Sequence, residues 1–167
     1  MSNKLINNII EYGYLAIFVL IFLQEVGLPS PIPNEFILIF SGYMSFMGYM
    51  NLPFTILAAA GGDLLAGFLL YLIFHFFGKV ILQRKPKWIP ISTPKLNEVS
   101  QRIENKGITF VFLGRLTPFV RGYIAVISGL LQFSFKKFGL VMGITSPLWA
   151  SFYIITGYFF GPYWETT

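Results

Sequence analysis

Residues 110–129 read FVFLGRLTPFVRGYIAVISG, and the placement of this stretch decides the fold. Arg115 and Arg121 flank Pro118 inside a run whose remaining residues are mostly apolar. An arginine at mid-bilayer costs about 2.5 to 3.5 kcal/mol on insertion scales, so two of them close together call for an anionic answer. Three acids in similarly apolar surroundings can supply it: Glu25, Glu35 and Asp63.

The rest of the chain is no less apolar. Of 167 residues, 55% are hydrophobic and 11% charged, with a mean hydropathy of +0.68, the composition of an integral membrane protein. A single membrane domain over residues 1–167 is expected. The absence of cysteine rules out disulfides, iron–sulfur clusters and thiolate metal sites, and one histidine, His75, cannot form a zinc site alone. No metal and no cofactor are expected. The net charge of +5 does not point to nucleic acid, because the basic residues gather at 79–106 beside apolar spans. That pattern follows the positive-inside rule, with contact to anionic membrane lipids as a by-product.

Residues 12–28, YGYLAIFVLIFLQEVGL, form an apolar helix of about 25 Å at 1.5 Å per residue, marginal for a hydrocarbon core of about 30 Å. The run has no strong basic flank and ends in GLPSPIP instead of a small-residue cleavage site, so it is expected in the mature fold. Pro29, Pro31 and Pro33 then stop any helix, since each removes a backbone donor and restricts its predecessor. Asn34 is expected to cap the next helix, 34–48, with Glu35 in its first turn, where the helix dipole favours an acid. Two short apolar arms joined by a proline elbow read as a re-entrant hairpin over 12–48, allowed at membrane depth where the elbow is buried in protein or lines a wet cavity. Two tilted full spans are the alternative.

Residues 54–77 are long enough to span, with Asp63 in mid-span among Gly61, Gly62 and Gly67, whose size lets a neighbouring helix approach. Asp63 is either functional or an acid paired with arginine to hold helices together. His75 reads as an interfacial hydrogen-bonding residue ahead of a proton carrier. Residues 78–106 form a basic cytoplasmic loop in which Thr93 and Pro94 start a short helix over 94–106, amphipathic on the inner membrane surface or a solvated linker.

The second half repeats the plan of the first. Arms 108–119 and 122–135 break at Pro118, forming an arginine hairpin over 108–135, and 138–161 spans again. With the basic loop and Lys136-Lys137 both inside, this hairpin enters from the cytoplasm and the first from the exterior. The expected fold class is therefore all-α, an inverted repeat of two broken re-entrant hairpins, each followed by a span: 11–77 and 107–161. The acidic elbow faces the basic one near the midplane.

These motifs resemble the DedA family of bacterial membrane proteins, related to the eukaryotic VTT-domain lipid scramblases. The resemblance rests on Glu25-Val-Gly-Leu-Pro29-Ser-Pro31-Ile-Pro33-Asn34-Glu35 with Gly42 following, on Gly62-Asp63 and the glycines from Gly67 to Gly78, and on Gly114-Arg115-Leu-Thr-Pro118-Phe-Val-Arg121 with Ser128-Gly129 beyond. It covers roughly residues 15–161. Asn34 stands where such proteins usually have glycine, and Ala125 where proline is common. The chain ends at Trp164-Glu165-Thr-Thr where members usually continue into another apolar helix, which leaves open either a longer full-length protein or a homo-oligomer whose neighbouring copy completes the bundle. The resemblance implies a multi-pass protein of the bacterial cytoplasmic (inner) membrane, proton-motive-force-dependent membrane homeostasis and, for several members, transport of undecaprenyl phosphate.

A polyprenyl phosphate needs a cationic cavity for its head and a lateral opening for its tail. Arg115 and Arg121 suit the head, because guanidinium stays charged and its fork of donors matches phosphate oxygens; Thr117, Pro118 and free backbone amides of 117–119 complete the expected site. Carboxylates displaced by the phosphate gain stability by taking up protons, which assigns proton coupling to Glu25 and Glu35, with Asp63 third. Passive scrambling of phospholipids is the alternative, and a purely structural charge lock is a third. An enzyme is not expected, since histidine-dependent phosphatases need a second imidazole.

Overall fold

The computed structural model describes residues 3–84, 101, 107–118 and 120–164, and these residues contain helices and no strand. In chain order the helices are α1 (Asn3–Glu25), α2 (Asn34–Phe46), α3 (Leu52–Arg84), α4 (Gly107–Leu116), α5 (Arg121–Leu130) and α6 (Phe135–Trp164). Two are long and apolar enough to cross a membrane, over Leu52–Gly78 and Phe135–Gly161, 27 residues each. Of the helix expected at 94–106, only Gln101 is described, and it is helical.

Helix ends follow local chemistry. The first helix was expected over 12–28, but it begins at Asn3 and stops at Glu25. It stops because Gly27 takes φ +103°, from which the amides of Gly27 and Leu28 turn back to the carbonyls of Gln24 and Leu23, each at 3.0 Å. The same closure ends α2 at Gly48 (φ +78°), with Gly48 and Tyr49 bonded to Ser45 and Met44. It also ends α5, but there Gln132 (φ 53°) fills the left-handed position. At the start of α2 the expected cap is not formed. Pro33, already extended (φ −59°, ψ 149°), holds the capping position, Asn34 is the first helical residue, and its buried Oδ1 has no hydrogen-bond partner among the described residues. A proline that cannot itself be helical at that point leaves the amide side chain one step too late to cap.

The chain divides into two compact units. One runs to Ala66 and resumes at Ser146, so it holds α1, α2, the first half of α3 and the second half of α6. Its core is Ile17, Ile21, Leu38, Met50, Ala59, Ala60, Trp149, Ala150 and Ile154. Here α2 and α6 touch through their backbones: a Cβ on Gly42 would collide with the Ile154 carbonyl, and one on Gly157 with that of Ile39. Gly157 and Gly161 are one turn apart, the small-residue spacing that lets membrane helices approach closely. Between α2 and α3, Ser45 Oγ and Thr55 Oγ1 lie 3.1 Å apart, and the Asn51 amide donates to Tyr14 Oη at 2.7 Å.

The other unit is Gly67–Thr145. Its Gly129, on α5, lies against the backbone of α3 at Tyr71 and His75. Tyr71 stacks on Phe138 of α6 (4.5 Å, 16°) and its hydroxyl donates to the Phe133 carbonyl at 2.5 Å, which fixes the turn between α5 and α6.

Candidate functional site: the arginine break and the buried acids

Pro118 has no amide hydrogen and its ring excludes the preceding residue from helix, so the helix that carries Arg115 ends at Leu116. Thr117 closes that end: its amide donates to Gly114 O at 3.3 Å and its hydroxyl to Leu113 O at 2.9 Å. Of the three residues whose amides were expected to be free here, Thr117 has spent its own on the turn and Pro118 has none; Phe119 lies outside the described residues. After the turn, α5 starts with Arg121 in its first position, with Val120 before it and no side-chain cap.

Both arginines are buried, Arg115 at 1% exposure and Arg121 at 5%. The structure brings them together: Arg115 Nη1 donates to the backbone carbonyl of Arg121 at 3.1 Å. Gly67 of α3 lies nearby: a Cβ there would collide with the Met142 side chain but stand 3.8 Å from Arg115 Nη2, an ordinary contact. Arg115 lies in the last turn of α4, the end a cation favours, whereas Arg121 adds its charge to the positive end of α5. The bond thus ties the Arg115 side chain to the first residue of α5 within an apolar unit. Thr117 is exposed and Pro118 half-buried.

The acids belong to the other unit. Glu25, the last residue of α1, is buried, and Glu35 is half-buried in the first turn of α2, the dipole-favoured position expected of it. Asp63 is fully buried and accepts a 2.5 Å hydrogen bond on Oδ2 from Ser146 of α6. Among the described residues no three acids or histidines group closely enough to hold a metal ion. Ser146 was not foreseen, although the run Thr145-Ser146-Pro147 in the middle of an apolar span was a visible signal. His75 stacks on Tyr71 (5.4 Å, 23°), and its Nδ1 is buried without a hydrogen-bond partner among the described residues. Beside the proline elbow an apolar groove of about 470 Å³ is lined by Leu20, Ile32, Phe36, Ile37, Phe40 and Gly157, among others.

The VTT domain model matches residues 32–159. An uncharacterized membrane protein, YbfM, of Bacillus subtilis is 30% identical over 89% of this chain and 91% of its own length. Undecaprenyl phosphate transporter A of Staphylococcus aureus is 28% identical over 88% of this chain and 73% of its own. An alkaline phosphatase-like protein of Lactococcus lactis is 23% identical over 99% of this chain and 78% of its own. No solved structure gives a significant match. Buried arginines at a broken helix, two long apolar helices and the match over most of its length agree: the chain is a membrane protein and belongs to the VTT-domain, or DedA, family.

Proposed function

We propose that this protein carries a polyprenyl phosphate, of the undecaprenyl phosphate type, across the bacterial cytoplasmic membrane, with proton uptake coupled to head-group exchange. The observation that carries this reading is the buried bond from Arg115 to the Arg121 carbonyl across the Pro118 break, which links two buried residues whose side chains are permanent cations. A phosphate monoester has the charge and oxygen geometry such a fork selects. A relative named for undecaprenyl phosphate transport supports the lipid class.

In this mechanism the broken pairs α1–α2 and α4–α5 are re-entrant hairpins of an inverted repeat, and α3 and α6 are the spans. Head-group exchange at the guanidiniums is coupled to proton uptake by carboxylates in low-dielectric surroundings. Glu25, Glu35 and Asp63 carry those protons, and no covalent bond forms or breaks.

The test is flux of labelled polyprenyl phosphate and of phosphatidylglycerol in vesicles across an imposed pH gradient. Polyprenyl phosphate flux that exceeds phospholipid flux and follows the gradient supports coupled transport; equal, gradient-blind flux identifies a passive scramblase. Glu35→Gln is expected to insert normally and lose the gradient response, and an unchanged response removes Glu35 from the scheme. Because one relative is named alkaline phosphatase-like, release of inorganic phosphate is measured in the same vesicles, and release would replace transport by hydrolysis.

A further inference from the structure

Six serine and threonine side chains are buried among the described residues, and their habits differ. Four of them, Ser41, Ser45, Thr55 and Thr145, donate to the backbone carbonyl four residues earlier, at 2.6 to 3.0 Å. This is the usual way for a helical hydroxyl to satisfy itself without water. Ser146 does otherwise: it leaves α6 and donates to Asp63 Oδ2 of α3 at 2.5 Å, with both residues at 0% exposure. Its neighbour Thr145 is committed to Val141 O and does not share the task. Buried away from water, a carboxylate oxygen gains a charge-assisted bond here that is about twice as strong as a neutral one.

We propose that Ser146 is a positioning residue for Asp63. Its hydroxyl fixes the orientation of the carboxylate by holding Oδ2, so exchange of a proton or a cationic partner takes place at Oδ1. When Asp63 takes up its proton from the aqueous phase the charge that holds the hydroxyl is gone, and a single χ1 rotation returns Ser146 to the carbonyl one turn back, the arrangement four other buried hydroxyls already adopt. Ser146 thus sets how fast the Asp63 step proceeds and leaves head-group affinity alone. This rests on the transport reading above.

The test uses vesicles with wild type, Ser146→Ala, Ser146→Thr, Asp63→Asn and the double variant, measured for polyprenyl phosphate uptake and by infrared difference spectroscopy. Ser146→Ala is expected to lower maximal uptake about tenfold with half-saturation within twofold, and Ser146→Thr to regain most of the rate. The double variant should be no slower than Asp63→Asn alone. The infrared band assigned to Asp63 by its loss in Asp63→Asn should move in Ser146→Ala and return in Ser146→Thr. Unchanged uptake in Ser146→Ala, or losses that multiply in the double variant, overturns the assignment. If wild-type vesicles carry no lipid, transport fails as a reading, and the band alone decides: a shift sustains Ser146 as the residue that orients Asp63, and an unmoved band overturns it.

Discussion

Arg115 reaches over the Pro118 break to donate to the carbonyl oxygen of Arg121 at 3.1 Å, so the side chain of one arginine fixes the backbone of the other. Lysine has the charge but not the planar fork. Arg115→Lys is therefore expected to insert and fold but to lose at least tenfold in polyprenyl phosphate uptake. Arg115→Gln should also destabilise the protein by about 1.5 to 3 kcal/mol, the range for a hydrogen bond to a charged group, as read by thermal unfolding in detergent.

The contact of α2 with α6 leaves no room for side chains at its glycines. Gly157→Ala forces a Cβ against the Ile39 carbonyl, and the helices must part; overpacking of this kind costs about 1 to 3 kcal/mol. Gly143, on the same helix, has nothing within 4 Å of its would-be Cβ. Gly143→Ala should be neutral or stabilising by up to about 1 kcal/mol, because alanine has the better helix propensity. Parallel melting curves in one detergent check both.

Gln132 holds a left-handed conformation where α1 and α2 use glycine. For a residue with a Cβ that conformation costs about 1 to 2 kcal/mol. As Gln132 is exposed and its amide bond to Gly129 O is made by the backbone, Gln132→Gly should raise stability by about 1 kcal/mol and leave uptake unchanged.

His75 offers its ring face to Tyr71, and its buried Nδ1 makes no hydrogen bond among the described residues. His75→Phe preserves the stack and should keep uptake and its gradient response within about twofold of wild type, the scale of a lost or gained fraction of a kcal/mol. Loss of the gradient response in that variant would make His75 a proton carrier.

Much of this architecture was legible because membrane helices announce themselves through long apolar runs and prolines. The spans expected at 54–77 and 138–161 lie within α3 and α6, and the breaks after Glu25 and before Arg121 fall at the proline elbows. The extra turns at the ends of α3 and α6 were not legible, since hydropathy marks where lipid ends and says nothing about where hydrogen bonding ends. The Asn34 cap failed for a related reason: composition identified a capping side chain, but Pro33 decided which residue stands in the capping position. At the site, Arg115 and Arg121 stood out by the cost of burying charge. Ser146 did not, because a serine in an apolar helix usually satisfies itself on its own backbone, and only the packing of α6 on Asp63 gave it another partner.

The central claim is that the buried guanidinium pair binds the phosphate head of a polyprenyl lipid, and uptake by vesicles that contain Arg115→Gln or Arg121→Gln tests it most directly. Both variants should insert at wild-type levels and lose at least tenfold of polyprenyl phosphate uptake. Wild-type uptake by either variant would contradict the claim.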